Sequence, residues 1–350
     1  MNIRGKFVTV IAVIALLLTG CSTGGNTDTD VEVSDLLPTP EISNIRVGVG
    51  ATEISQFATY FAADQKLFKK YGFESVDAST FEGDGKAMAA MQAGQLDAAA
   101  INPSTAVLSQ NSDAPVVMIA VTAAIATDSL VTRADIKTVD DLKGKRIAIS
   151  SLGGGSHAAA LLALDALGLD PDQVAFTQTG GQDARVAALL AGSVEAAVID
   201  SVLNDKMTAN GLNILVDLKK ERLPSGRAGI AVTKEWLDKN PNAARALVAT
   251  ILESQNTFWV NPSLVAERYA DFAQIDLDDA TALVTDFQDI GDRSLTWTPE
   301  VFTRAKNILM IADPSIADVD VTDAYDESVI NDLAAAGVYS AIGTPDPEWQ

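Results

Sequence analysis

Apolar and polar positions along this chain switch between a period of two and a period of three to four. IRVGVG (45–50) alternates as a strand, and SQFATYFAADQKLFKKYG then sets Phe57, Tyr60, Phe61, Asp64, Leu67, Phe68 and Tyr71 at spacings of three and four, stopping at Gly72. FESVDAST returns to a strand, EGDGKAMAAMQAG reads as a glycine loop and an alanine-rich helix, and QLDAAAIN as another strand. The second half repeats the order. KRIAIS is a strand, SLGGGS a loop, HAAALLALDALG a helix ending at Gly168, and DQVAFTQT a strand; GGQDARVAALLAG and VEAAVID give the last helix and strand. Strands alternating with helices predict α/β lobes with parallel sheets and right-handed crossovers.

Letters repeat as well as order. AGQLDAAAIN (93–102) lies over AGSVEAAVID (191–200), and the register holds backwards without a gap, placing Gly83 over Gly181, Ala89 over Ala187 and Gly94 over Gly192. Two similar lobes follow. The first crossing between them is expected near residues 123–128 and the return at GRAGIAVTKEWL (226–237), so residues 44–123 plus 229–350 form lobe 1 and residues 124–228 form lobe 2. Two crossings make a hinge. From Pro241 on, the pattern is mostly helical and is expected to pack on lobe 1, with residues 312–322 irregular.

The N-terminus departs from this pattern. Arg4 and Lys6 precede an apolar run, residues 7–18, too short for a membrane span but suited to an export signal, so residues 1–20 read as a signal peptide. Leu18-Thr19-Gly20-Cys21 resembles a bacterial lipoprotein cleavage box, which makes Cys21 the lipidated first residue. Residues 21–43, rich in Ser, Thr, Gly, Pro and acids, read as a flexible tether with a reach of roughly 25 Å. The protein is thus expected outside the cytoplasm, anchored to the bacterial membrane by lipid alone. A formal charge of -22 disfavours nucleic acid and anionic surfaces as partners.

In α/β sheets, ligands bind beyond the carboxyl ends of the strands, where helices begin. Helices starting near Ser55, Asp84, Ser156 and Gln182 would present their amide-rich N-termini to one cleft between the lobes, favouring an anionic or strongly dipolar group. Candidate ligand contacts are therefore Glu53, Ser55 and Gln56 in the first loop, Gly83 and Asp84, Ser151, and Gly153, Gly154, Gly155, Ser156 and His157. To these are added Gly181 and Gln182, and the strand ends Asn102 and Asp200 with Ser104 and Ser201 beside them. The triple glycine serves either a tight turn or close approach of an anion. His157 either touches ligand or stays on its own helix, and Asp84 and Gln182 either face ligand or serve their helix ends. Glu53 or Asp200 suits a ligand amine. Arg227 suits a sulfonate or carboxylate, or a surface salt bridge.

The lipoprotein box, VDDLKGKRIAISSLGGGS, the paired AG-x-[LV]-[DE]-A-A segments and VTKEWLDKNP together resemble the substrate-binding proteins of ABC importers for sulfonates, taurine, nitrate and thiamine-precursor pyrimidines, over about residues 44–290. The resemblance implies a two-lobed periplasmic-binding fold of type 2 that closes on a small molecule and presents it to a permease with its ATPase. A monomer without cofactor or metal is expected. Catalysis finds little support: one His and one Cys leave no Cys/His pair, zinc cluster or HExxH, and GGGSH is no nucleophile elbow. A small organic anion such as an alkanesulfonate or taurine is the expected ligand. Nitrate, a pyrimidine, or a sensing role in place of transport remain open at this point.

Overall fold

The chain enters its first sheet as β1 (Asn44–Val49), passes through α1 (Ile54–Asp64) and α2 (Leu67–Lys70) to β2 (Ser75–Thr80), and returns through α3 (Asp84–Gln92) to β3 (Ala98–Ile101). Helix α4 (Pro103–Ser109) leads to β4 (Val116–Ile125), after which β5 (Asp128–Thr132) opens the second half. There α5 (Val139–Leu142), β6 (Arg146–Ile149), α6 (Gly155–Ala166), β7 (Ala175–Gln178), α7 (Gln182–Leu190) and β8 (Ala196–Asp200) repeat the earlier order. Through α8 (Asn204–Ala209), β9 (Asn213–Asp217) and α9 (Leu218–Glu221) the chain reaches β10 (Pro224–Thr233). It ends in helices α10 (Lys234–Lys239), α11 (Pro241–Val260), α12 (Pro262–Ala273), α13 (Leu277–Gln288), α14 (Pro299–Ala312), α15 (Ser328–Ala335) and α16 (Val338–Ile342). This computed structural model describes residues 33–348 except 153 and 223; the signal segment 1–20, Cys21 and Gly153 lie outside the described residues.

Among the described residues there are two five-stranded sheets, ordered β2-β1-β3-β10-β4 and β7-β6-β8-β5-β9. The strands joined by crossover helices are parallel, but β10 runs antiparallel to β3 and β4, and β5 antiparallel to β8 and β9. The sheets are thus mixed, where the strand-helix alternation suggested parallel ones. The opposed strands β5 and β10 directly follow the passages between the sheets, and they enter each sheet against the direction of the repeated units.

One core joins β1, β3, β4 and β10 to the C-terminal helices through residues such as Val47, Ile101, Phe258, Phe287 and Trp297. A second forms around Leu130, Ile147, Leu161 and Val198, and Ile308 of α14 reaches it. The apolar stripe expected to be one helix from residue 55 to Tyr71 breaks at Lys66, which takes a left-handed φ of 60° and restarts the chain as α2. Residues 33–43 also differ from a free tether. Val33 is buried, and the Glu41 carboxylate accepts the N–H groups of Asn242 (3.0 Å) and Ala243 (2.8 Å) at the start of α11. A carboxylate there satisfies orphan donors and complements the helix dipole. Among the described residues no helix is long and apolar enough to cross a membrane.

The repeat is visible in atoms at the far end of each sheet. The Arg46 backbone and guanidinium grip Asp97 (2.8, 3.0 and 2.7 Å), and Arg146 grips Glu195 in the same three ways (3.1, 3.0 and 2.7 Å). Hydrogen bonding to Arg146 holds the Glu195 carboxyl down at about 2.

Candidate functional site between the sheets

The same duplication fixes the strand ends. Asp84, first residue of α3, accepts the Asn102 N–H through Oδ2 at 3.0 Å, while Gln182, first residue of α7, accepts the Asp200 N–H through Oε1 at 2.8 Å. Asn102 and Asp200 in turn accept N–H groups two residues on, from Ser104 (2.8 Å) and Val202 (3.2 Å). A polar side chain at the helix start thus pins the strand end beside it, which is why both copies keep one there. In the first copy Gln56 adds a brace, donating Nε2 to Asp84 (3.0 Å) and accepting the Ala51 N–H (3.0 Å). Burial pushes the Asp84 carboxyl up to about 6.

Beside the Gln182–Asp200 end lies a cavity of about 590 Å³. Thr52, Glu53 and Ile54 at the start of α1, Gly83 before α3, and Gly181, Gln182 and Arg185 around the first turn of α7 line it, with Ser150, Asp200 and Tyr269. The N-terminal ends of three helices, drawn from both sheets, therefore open on one space. Tyr269 is buried, donates to the Thr52 carbonyl at 3.3 Å, and is raised above the ordinary tyrosine range by that burial.

Five charged side chains tie the wall of this cavity to the strands that follow the crossings. Arg227, at the start of β10, donates to Asp128 at the start of β5, to Glu53 (2.9 Å) and to Asp200 (3.3 Å). Its side chain is only 6% exposed, so this is a buried cation shared by three carboxylates and not a surface salt bridge. Burial raises Asp128 and lifts Asp200 to about 7, with Arg227 pulling both back. Arg185 of α7 completes the group, its Nη2 3.9 Å from Glu53.

The remaining predicted residues are distributed as follows. Ser55 and Ser104 are buried behind the helix starts. Ser156 Oγ accepts the Ser150 N–H at 2.7 Å. The glycine loop packs on the opposite half: the Gly155 N–H donates to Asp84, a Cβ on Gly155 would meet Asn102 Nδ2 at 3.4 Å, and one on Gly83 would meet Ser151 Oγ at 2.9 Å. Gly154 stands against the same Ser151. His157 lies in a separate groove with Leu108, Leu152 and Phe176, edge-on to the Phe176 ring at 4.7 Å, and burial lowers it to about 4. Ser201 faces an outer groove with Lys219 and Asp286. Of the predicted set, Glu53, Gly83, Gly181, Gln182 and Asp200 come together in the cavity wall.

Arg185, Asp128 and Tyr269 were not among the residues expected here. Arg185 carried the one available signal, since it stands in the second copy where Ala87 stands in the first. Among the described residues no group of three or more His, Cys, Asp or Glu side chains converges as a metal site.

Residues 54–263 match the family model described as NMT1/THI5 like. No curated protein matches the chain. Among solved structures, it is similar to a protein from Bordetella bronchiseptica RB50, with a TM-score of 0.73 and 20% identity over 86% of this chain and 98% of that one. The alkanesulfonate-binding protein SsuA from Xanthomonas axonopodis pv. citri, bound to MOPS, superposes with a TM-score of 0.68 and 16% identity over 82% and 99% of the two chains. The periplasmic nitrate-binding protein NrtA from Synechocystis PCC 6803 gives 0.68 and 14% over 89% and 93%. At these identities the likeness is one of fold, the two-lobed fold of periplasmic binding proteins.

Proposed function

This chain belongs to the NMT1/THI5-like family, and from that premise we propose that it is the extracytoplasmic solute-binding component of an ABC importer. It captures a small organic anion of the alkanesulfonate or taurine type between its sheets and delivers it to a permease with its ATPase. In this reading the protein is a monomer held to the membrane by lipid on Cys21, and it binds without catalysing. The observation that carries the reading is the cavity of about 590 Å³ onto which helix N-termini from both sheets open. A space of that size suits a small solute, and helix N-termini favour negative charge. The solved relatives named as alkanesulfonate-binding and nitrate-binding proteins support the same class.

A second reading has one observation in its favour. The Glu53 side chain is 24% exposed and lines the cavity wall, where it would accept from a ligand amine such as that of an aminopyrimidine or of taurine itself. A thermal-shift panel of sulfonates, nitrate, carboxylates and aminopyrimidines tests both. Saturation at about a hundred times the dissociation constant stabilises a protein by about 2.7 kcal/mol, which raises the melting temperature by several degrees. No response to any member would refute solute capture of this kind.

A further inference from the structure

Arg185 is 1% exposed, yet its guanidinium is only partly satisfied. Nε donates to the Val198 carbonyl at 2.7 Å and Nη1 to the Gly180 carbonyl at 3.2 Å. Nη2 makes no hydrogen bond, and the nearest carboxylate oxygen, Glu53 Oε1, stands 3.9 Å away while Glu53 Oε2 is engaged by Arg227 at 2.9 Å. Its carboxylate neighbours, Glu53 at 3.9 Å with Asp128 and Asp200 farther off, act on it through charge alone and leave this buried cation without a hydrogen-bonded counter-ion, a costly state away from water. Burial accordingly lowers its pKa. The side chain lines the cavity and projects from the first turn of α7, beside that helix's own amide-rich end.

The internal repeat sharpens the point. Position 87 in the first copy is a buried alanine inside α3, so the corresponding site of the first half has no cation. The two halves of the cavity are therefore chemically unequal, with the positive side chain on the α7 side and Glu53 of the α1 side 3.9 Å from it.

We infer that Arg185 is the residue that receives the acidic group of the solute, its buried, unpaired Nη2 and the α7 N-terminus forming an oxyanion subsite for a sulfonate or carboxylate that takes the place of the Glu53 carboxylate now 3.9 Å away. This rests on the solute-capture reading and adds to it the recognising side chain and the half of the cavity that holds the acid. Because only one of the three guanidinium nitrogens is unpaired, the contact is single-point, and the carbonyl-bound Nε and Nη1 hold it in place.

The test is titration calorimetry of the purified protein with matched pairs, propanesulfonate against propanesulfonamide and butyrate against butyramide, on wild type, Arg185→Met and Arg185→Gln. Wild type is expected to prefer the anion of each pair by about 10- to 100-fold, the range one charge-assisted hydrogen bond supports. Both variants should lose that preference while still binding the neutral partner. A residue that only supports the fold would weaken both partners alike, so preserved preference in a folded variant overturns the inference. Should neither variant fold, a wild type that binds the neutral partner of each pair as well as the anion overturns it equally. Binding of neutral compounds alone would remove the subsite and leave solute capture standing; binding of nothing in this panel or the wider thermal-shift panel would remove both.

Discussion

Replacing Asp200 with Asn should make the protein's stability less sensitive to pH, by an amount that follows from the burial of this carboxyl. Burial lifts Asp200 from 3.8 to about 7, with Arg227 opposing the shift and Asp128 adding to it. A carboxyl raised on folding contributes stability that is fully present below its unfolded value and is lost as pH rises through its folded value. Between pH 5 and pH 8 the loss assigned to this one group is on the order of 2–3 kcal/mol. Asparagine carries no such proton, and its carbonyl can still accept the Val202 N–H that Asp200 accepts at 3.2 Å. The stability of Asp200→Asn relative to wild type should therefore rise by on the order of 2–3 kcal/mol from pH 5 to pH 8. Asp84, raised to about 6, titrates in both proteins and cancels in the difference. Urea unfolding at four pH values measures it. Parallel profiles, with a difference that stays constant within about 0.5 kcal/mol, would refute the argument that Asp200 is held in a desolvated, under-compensated site.

Three further outcomes are expected. Arg227→Met strands Asp128, Glu53 and Asp200 without their shared cation and should cost about 3–5 kcal/mol at pH 7 by chemical denaturation, the range for breaking a buried ion pair; a loss below about 1 kcal/mol would contradict the network. Gly83→Ala places a side chain at φ 119° and 2.9 Å from Ser151 Oγ, so the melting temperature should fall and solute affinity with it, whereas wild-type values for both would show that neither the conformation nor the contact between the halves matters. Lys219→Glu reverses the pairs that Lys219 makes with Asp286 and, at 3.6 Å, with Asp289 of the neighbouring sheet's helical layer. Small-angle scattering should then report a larger radius of gyration for the solute-free variant, and an unchanged radius would mean that these pairs do not hold the halves together.

The order of elements was legible because strand and helix periods alternate cleanly, and the helix starts expected near Ser55, Asp84, Ser156 and Gln182 lie within one residue of Ile54, Asp84, Gly155 and Gln182. Repeated glycines mark where each unit stops: Gly94 and Gly192 both take left-handed φ values, 67° and 71°. The direction of β5 and β10 was not legible, since a single strand's pattern does not encode its neighbour's sense. Nor was the anchoring of residues 33–43, whose composition is that of a tether while Glu41 caps a helix some two hundred residues away in sequence. The charge network escaped for the same reason. Arg227 and Asp128 are ninety-nine residues apart, and nothing local distinguishes a buried arginine from a solvated one. The glycine loop's pattern fits a turn or an anion cradle alike, and its contact with Asp84 and Asn102 depends on how the two halves meet, which no local pattern records.

The central claim is that a solute occupies the space between the two sheets. A crystal structure of the protein grown with the best ligand of the thermal-shift panel tests it most directly. The account predicts electron density for that molecule against Arg185, Glu53 and the start of α7, enclosed by residues of both halves. Density confined to the outer groove of Leu152 and Phe176, with the inner cavity holding only water, would contradict it.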